Sequence, residues 1–589
     1  MILVRSARLF PSRCGVLRAI FVAFALLATS LLGVTAAPAQ TACTSPPTVY
    51  PESQLAVGQI ATGSTTIQGT TPTSFTVEIL GTIPDGIMLG IDLIVGQITG
   101  PQSFLDETGG VFFGISGSPL YTSGKFVGTT SYGFWADPTI VGITPGQAVV
   151  DVLSYERAAP KPARRIAVTD EARRAIARAT GKAVAEVTGS FEPIPAPLGV
   201  SGLSGKRLAD FQTMVDEQGA NVKVFSSGSV AAPTAVSATP FVPGAPIGSV
   251  LSYGDATIWA MGTASVVCGD EVIAYGHSLF WDPPGSVTIG MTGANVMTIL
   301  HTTGYIGEML GNVTDTRGTF TQDRYAGEVG AFGVLPPTTP ITTTFTSPDT
   351  GLTRTGSSYS VYQADPYWFI DTAWAHLFMN LAAVFQRVGD GTSSIDYTIE
   401  GTTEDGTPFT LTNRGMFYSD WDAAMSAYKL VETLYALSFN RFTTVTFTDV
   451  SATGDITEQD LTGDIVKVRT KSSLQPTLKA RSLLKAKPGD TVTVEVTLAP
   501  VEGGANQTAT MSFKVPKSAR GKQRVTLRGG HDRYYFSQRE VGSFDELLAR
   551  LSNGEHGNDL ILSEFGTTKS FAQDLIVDGK GAFTLQVVR

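Results

Sequence analysis

The chain has 589 residues, too many for one hydrophobic core, so three or four folded units are expected. Only 16% of the residues are charged, and 63 glycines and 32 prolines favour a β-rich architecture with many turns. The net charge of −10 argues against a nucleic-acid partner, because phosphate backbones are bound by clusters of lysine and arginine.

The first 39 residues have the features of an export signal. Four arginines lead into an apolar run over residues 19–34, and the small residues Ala37-Pro38-Ala39 form a cleavage site. No later apolar run is long enough to span a membrane. We therefore expect residues 1–39 to be a signal peptide, and the mature protein to be secreted or held in the cell envelope.

Two cysteines, Cys43 and Cys268, remain after this signal is removed. An exported compartment permits them to pair, but the residues alone leave open whether they meet. No metal-ligand spacing occurs in the sequence, so neither a metal nor an organic cofactor is expected.

Residues 45–155 form a predicted β unit that contains the most informative stretch, Gly114-Ile115-Ser116-Gly117-Ser118-Pro119. Its glycines let the backbone turn sharply and bring amide N–H groups close to a substrate carbonyl. Residues 111–113 are strand-like, and Ser123-Gly124 is typical of a hairpin turn. This setting predicts Ser116 as the nucleophile of a barrel-type peptidase; the alternative is a tight turn without chemistry.

The next two units are a linker and a second β unit. The linker, residues 156–236, carries short helices, one of them from about Asp170 to Thr180 with Gly181 as its stop. The second β unit covers residues 237–341. Within it, Gly269-Asp270 is a favoured two-residue hairpin turn.

The remaining residues divide into a mixed helical region, 342–461, and an accessory β-sandwich-like module, 462–589. Two helices are predicted in the first, over about 372–388 and from near Ser419 with Asp422 as its cap. The second has an alternating strand, with Val492, Val494, Val496 and Leu498 on one face. In that module Ser543-Phe544-Asp545-Glu546 predicts the start of a helix.

His277 is the best placed of five histidines to serve as a partner for Ser116. It follows the second strand of the predicted hairpin, in Tyr275-Gly276-His277. Side chains at strand ends on a barrel rim can project into a cleft. A neutral imidazole there would accept the serine proton and later pass it to the leaving amine. The alternative is a histidine that only satisfies loop hydrogen bonds.

Four stretches within the first 340 residues resemble the SpoIVB-type serine peptidases. They are residues 75–81, 108–128, 275–277 and 318–327. The resemblance implies a chymotrypsin-like two-barrel fold with Ser116 as nucleophile and His277 as general base. It further implies that the backbone amides of Gly114 and Ser116 hold the oxyanion. A protein or peptide substrate and a regulatory or self-processing role are also implied.

The chain departs from that family in two respects. In the sporulation peptidase the histidine segment precedes the serine segment, and here the order is reversed. Catalysis depends on geometry, so swapping two self-contained barrels can preserve the site. The orienting acid is not assigned: Asp106, Asp282 and Asp323 are weak candidates, and each is also typical of a turn or surface position. Lys125, just beyond the hairpin turn, is expected to face solvent.

These observations predict an exported serine endopeptidase of mainly β fold. Its two-barrel, chymotrypsin-like core carries a mixed α/β insertion and a C-terminal β-sandwich-like module. The rival hypothesis is a non-catalytic cell-envelope binding or scaffold protein built on the same fold. An esterase is the third, but the elbow of that class needs a glycine where Ser118 stands.

Overall fold

The computed structural model describes residues 43–155, 165–279, 285–300, 306–361, 365–531 and 540–588. Strands account for 50% and helices for 18%, which confirms the predicted mainly β fold class. The predicted signal peptide and the candidate acid Asp282 lie outside the described residues.

The first part of the chain forms a closed barrel. Its elements are β1 (Ile60–Thr65), β2 (Thr73–Met88), β3 (Ile91–Gly100), α1 (Gln102–Thr108), β4 (Phe112–Phe113), β5 (Pro119–Thr122), β6 (Lys125–Gly133), β7 (Ile140–Pro145) and α2 (Gly146–Asp151). The barrel order is β5-β1-β2-β3-β7-β6, and β5 pairs with β6 to close it. The hairpin predicted at Ser123-Gly124 is present between these last two strands.

Two barrels share an apolar core. Along β2 the alternate residues Phe75, Val77 and Ile79 are buried, as a strand with one core-facing side requires. Their cluster includes Met261 and Met309, which lie on β13 (Ile258–Cys268) and β16 (Gly307–Arg324) of a second barrel. The two barrels are therefore joined by hydrophobic packing as well as by the chain.

The chain between the barrels adds short strands and two helices. These are β8 (Ile166–Ala167), α3 (Asp170–Thr180), β9 (Ser190–Pro193), β10 (Ala196–Ser201), α4 (Gly205–Glu217) and β11 (Val222–Ser227). The bounds of α3 match the prediction. The Thr169 side chain accepts a hydrogen bond from the Ala172 amide, and Gly181 ends the helix with φ +70°.

The second barrel is closed in the same way. It consists of β12 (Pro246–Gly254), β13 (Ile258–Cys268), β14 (Glu271–Ala274), β15 (Gly285–Leu300), β16 (Gly307–Arg324) and β17 (Gly327–Phe332). Strand β12 pairs with both β13 and β15, which closes the order β13-β14-β17-β16-β15-β12. The turn predicted at Gly269-Asp270 joins β13 to β14. The described residues thus form two six-stranded barrels, as the resemblance implied.

A mixed region extends the sheet of the second barrel, because β19 pairs with β12. It contains β18 (Thr339–Ser347), β19 (Leu352–Ser360), α5 (Pro366–Phe385), β20 (Gly391–Thr403), β21 (Pro408–Ser419), α6 (Ala427–Ser438) and β22 (Val445–Thr457). Helix α5 begins six residues before the predicted start, since Asp365 caps it and a proline occupies its first turn. Asp422 is a helix cap, as predicted, because its side chain accepts a hydrogen bond from the Ala424 amide. The element it caps is a 3₁₀ turn that precedes α6.

The C-terminal residues form two sheets with a shared core. The elements are β23 (Thr462–Lys471), β24 (Leu483–Ala486), β25 (Thr491–Pro500), β26 (Gln507–Lys514), β27 (Gly521–Gly529), α7 (Phe544–Ser552), β28 (Asp559–Glu564), β29 (Thr567–Ala572), β30 (Ile576–Asp578) and β31 (Lys580–Val587). The sheet orders are β26-β25-β23-β30 and β24-β31-β27-β28-β29. Val494 from one sheet and Leu527 from the other lie in a single apolar cluster, which is the arrangement of a β-sandwich. Among the residues that the structure describes, none of the helices combines the length and apolarity needed to cross a bilayer.

An N-terminal arm connects the two barrels. Cys43 forms a disulfide with Cys268 at the end of β13, and its amide donates to Glu271 Oε2 at 3.0 Å. Farther along the arm, Phe126 in β6 of the first barrel exchanges backbone hydrogen bonds with Thr48 and Tyr50. The pairing that the sequence left open therefore ties the arm to the second barrel, while its backbone joins the first.

Reduction of this disulfide is expected to lower the free energy of unfolding by about 2–5 kcal/mol, because the bond closes a long loop in the unfolded chain. Urea unfolding with and without dithiothreitol measures the loss. A Cys43→Ala/Cys268→Ala variant is the control and should unfold alike in both buffers. An unchanged midpoint for the parent, with the bond shown to be reduced by thiol titration, would contradict the expectation.

Candidate active site

Ser116 lies in a tight loop between β4 and β5. Gly114 and Gly117 on either side of it have φ values of +102° and +95°, a region that residues with a Cβ atom rarely adopt. Thr130 of β6 supports the loop: its carbonyl accepts from the Gly117 amide at 2.8 Å, and its hydroxyl donates to the Ile115 carbonyl at 2.7 Å. The side chain of Ser116 is fully buried.

His277 lies in the loop that follows β14 of the second barrel. Tyr275 and Gly276 before it both have left-handed φ values, +66° and +68°, which turn the chain back toward the first barrel. The His277 Nδ1 atom is 2.7 Å from the Ser278 carbonyl oxygen. Because a carbonyl can only accept, Nδ1 carries the proton and Nε2 is the basic nitrogen.

Thr263 on β13 binds the serine loop directly to the histidine loop. Its amide donates to the Ser116 carbonyl at 2.9 Å, and its hydroxyl donates to the Gly114 carbonyl at 3.1 Å. Its own carbonyl accepts from the Tyr275 amide at 3.3 Å. A single residue of the second barrel therefore fixes both loops, and it brings Ser116 and His277 to the same seam.

The histidine loop also contacts the first barrel. The Thr144 hydroxyl donates to the Gly276 carbonyl at 2.8 Å. A Cβ atom at Gly276 would overlap Thr129 Cγ2 and lie 2.5 Å from Ser131 Oγ. The two barrels therefore meet too closely at this point for any residue but glycine.

The reactive atoms of the two side chains are not engaged elsewhere. Within the described part of the chain, Ser116 Oγ and His277 Nε2 are both buried and neither makes a hydrogen bond, to the other or to a third group. Buried polar atoms are ordinarily hydrogen-bonded, so these two unpartnered atoms on adjoining loops make the pair a candidate functional site.

Burial sets the charge of the imidazole. Removal from water lowers the pKa of His277 from 6.5 to about 4, and the hydrogen bond to the Ser278 carbonyl partly opposes this shift. The ring is therefore neutral at neutral pH, the form that can accept a proton.

One of the amides predicted as oxyanion donors is unused. Among the described residues, the Ser116 N–H group donates to no backbone or side-chain acceptor, whereas the Gly117 amide is bonded to Thr130. Free amides beside a nucleophile can stabilise a negative oxygen as it develops on a substrate carbonyl.

The structure separates the candidate acids. Asp106 lies on α1, where it is exposed and accepts from Gln102 Nε2 at 2.7 Å. Asp323 is buried near the histidine loop, where it accepts hydrogen bonds from Ser278 Oγ and the Leu279 amide, at 2.8 and 3.0 Å. The partner of Nδ1 is thus a main-chain carbonyl. Sequence patterns carry no signal for such a partner, because every residue has a carbonyl.

Two further expectations concern groups outside this pair. Lys125 is exposed at the start of β6, as predicted. Over the described ranges, histidine, cysteine, aspartate and glutamate side chains nowhere form a group of three or more that could hold a metal ion.

Gly117→Ala is expected to lower the free energy of unfolding by about 2–5 kcal/mol. A left-handed backbone costs about 1–2 kcal/mol for a residue with a Cβ atom, and overpacking adds about 1–3 kcal/mol. The added Cβ would overlap the Thr263 carbonyl oxygen and lie 2.6 Å from the Tyr275 amide nitrogen.

Gly124→Ala is the matched control, since Gly124 has φ +74° but open space around its added Cβ. Only the cost of about 1–2 kcal/mol for the left-handed backbone is expected there. Chemical denaturation of both variants measures the difference. Equal losses would contradict the close approach of the two loops.

Comparison with known proteins agrees with this geometry. Residues 30–144 match the family model described as SpoIVB peptidase S55, a segment that contains the Ser116 loop and ends before His277. A search of curated proteins and a search of solved structures gave no match to the chain. The matched segment is similar to the SpoIVB-type serine peptidases and supports serine peptidase activity.

Proposed function

We propose that the protein is an exported serine endopeptidase in which Ser116 is the nucleophile and His277 the general base. The observation that carries this proposal is the pair of unpartnered buried atoms, Ser116 Oγ and His277 Nε2, in two loops that Thr263 binds together. Protein substrates follow from the family.

The chemistry follows from the protonation state of the pair. His277 Nε2 takes the proton from Ser116 Oγ as that oxygen bonds to the carbonyl carbon of the scissile peptide. The carbonyl oxygen becomes an oxyanion held by the amides of Gly114 and Ser116. The imidazolium then protonates the leaving amine, and water attacks the acyl-enzyme by the same proton route to release the acid and restore the serine.

The closed site supports a regulatory or self-processing role. Because Ser116 is 0% and His277 only 4% exposed, a substrate must displace the groups that cover them before it meets the nucleophile. A degradative enzyme gains nothing from a covered active site. An enzyme that acts on one protein or on itself can use the binding energy of that substrate to displace the groups that cover the site.

Export is supported by the start of the chain. Residues 1–39 have the charge and hydropathy pattern of a signal peptide. The Cys43–Cys268 disulfide fits an oxidising compartment, where such bonds form and persist. We place the mature protein in the cell envelope or outside the cell.

The second candidate function is a non-catalytic envelope binding or scaffold protein. It is favoured by the complete burial of Ser116 and by the lack of a hydrogen bond between Ser116 and His277 within the described chain. Both candidates share the fold, so chemical reactivity separates them.

A fluorophosphonate probe is expected to label the purified full-length protein at Ser116, and Ser116→Ala is expected to abolish both labelling and peptide-bond cleavage. The reason is that only an activated serine attacks the phosphorus. Mass spectrometry of the labelled peptide locates the adduct. Ser123→Ala, in the exposed hairpin turn, is the control and should label like the parent. A Ser116→Ala variant that still cleaves would contradict the assignment of Ser116 as nucleophile, and a parent that neither labels nor cleaves would favour the scaffold function.

The rate constant for labelling is expected to stay constant from about pH 8 to pH 5. It should then fall about tenfold per pH unit once His277 is protonated below its pKa of about 4. The sign follows because the base works in its neutral form, and burial extends that form to lower pH. Far-UV circular dichroism over the same range is the control for unfolding. A half-maximal rate near pH 6.5 would show an unshifted histidine and contradict the expectation.

A further inference from the structure

Asp323, in β16 of the second barrel, is a buried carboxylate that is hydrogen-bonded to the histidine loop. It is 0% exposed, and its two oxygens accept from successive residues after His277: Oδ2 from the Ser278 hydroxyl at 2.8 Å and Oδ1 from the Leu279 amide at 3.0 Å. Asp323 thus binds the Ser278 side chain and the N–H of the peptide group that contains the Ser278 carbonyl.

That carbonyl is the acceptor for His277 Nδ1. We propose that Asp323 is a positioning residue of the peptidase, acting on His277 through the Ser278–Leu279 peptide rather than by contact with the ring. In this arrangement the carbonyl selects the tautomer and the carboxylate fixes the carbonyl. The inference rests on the proposed function of Ser116 and His277.

The surroundings of Asp323 argue against a role in packing alone. Its antiparallel partner in β17 is Glu328, a second fully buried acid. Burial, and then the charge of Asp323, raise the pKa of Glu328 well above its usual value, and a hydrogen bond from Ser249 acts in the opposite direction. Two acids side by side in a core cost stability that amide or apolar side chains would not.

Glu328 is also connected by hydrogen bonds to Tyr275, which precedes His277 by two residues. The Tyr275 hydroxyl donates to Ser249 Oγ at 3.0 Å, and Ser249 Oγ donates to Glu328 Oε2 at 2.7 Å. The carboxyl pair therefore holds the residues on both sides of His277, with Asp323 bound to the following loop and Glu328 connected to Tyr275. Both contacts restrain the position of the imidazole.

The test compares fluorophosphonate labelling rates of full-length variants. Asp323→Ala removes both contacts and should slow labelling about 100-fold, because displacing a catalytic group by about 1 Å costs that much. Asp323→Asn retains an acceptor for the Leu279 amide and a group that can bond to the Ser278 hydroxyl. It should keep the rate within about tenfold of the parent, as expected for one weakened hydrogen bond.

Two further variants complete the design. Asp106→Ala removes an exposed candidate acid and should label like the parent. Ser278→Ala removes only the hydroxyl contact and should slow labelling between about two- and tenfold. It also tests the proposal if Asp323→Ala does not fold.

The outcomes separate the two proposals. If the fluorophosphonate does not label the parent protein, the proposed peptidase function itself is contradicted. A parent that labels, with Asp323→Ala and Ser278→Ala as fast as the parent, overturns the positioning role and leaves the function intact. Loss of labelling in Asp323→Asn equal to that in Asp323→Ala would also overturn it, since the carboxylate charge rather than its contacts would then be required. Slow labelling of a folded Asp323→Ala variant, with a rate within about tenfold of the parent in Asp323→Asn and a small loss in Ser278→Ala, supports it.

Discussion

The contacts of Thr263 across the seam between the barrels are the constraint on which the site depends. This residue uses its amide and hydroxyl on the serine loop and its carbonyl on the histidine loop. Glycines on both sides, Gly117 and Gly276, allow the main chains to approach without a Cβ atom between them. Ser116 and His277 are far apart in the sequence, but their loops are both hydrogen-bonded to Thr263. The reversed order of the two segments does not disturb such an arrangement, since each barrel closes on itself.

The seam between the barrels around Thr263 is polar yet buried. The hydroxyls of Thr129, Ser131, Thr144 and Ser265 bond to one another, to carbonyls of the two loops or to the Thr129 carbonyl of β6. Hydroxyls both donate and accept, so they satisfy one another in a low dielectric and fix one relative placement of the barrels. Within the described residues, Ser116 Oγ and His277 Nε2 differ from these hydroxyls because they make no hydrogen bond. The same burial keeps the imidazole neutral and closes the site, so a reactive pair and a restricted substrate range have one physical cause.

Local signals in the sequence were sufficient wherever local chemistry decides the structure. The cap and glycine stop of α3, the turn at Gly269-Asp270 and the alternating strand β25 follow from neighbouring residues, and each matches. The start of α5 differed because Asp365, seven residues before the predicted start, caps the helix and outweighs the apolar pattern. The disulfide and the partner of His277 Nδ1 could not be predicted. The disulfide depends on where distant segments meet. The partner of His277 Nδ1 is the carbonyl of the adjacent Ser278, a backbone atom that no residue type marks.

The most direct measurement of the central claim is a crystal structure of the fluorophosphonate adduct. We expect phosphorus bonded to Ser116 Oγ, a phosphoryl oxygen that accepts hydrogen bonds from the Gly114 and Ser116 amides, and His277 Nε2 within about 2.6–3.2 Å of an adduct oxygen. An adduct on another residue, or an imidazole turned away from the seam with Nδ1 released from the Ser278 carbonyl, would contradict it.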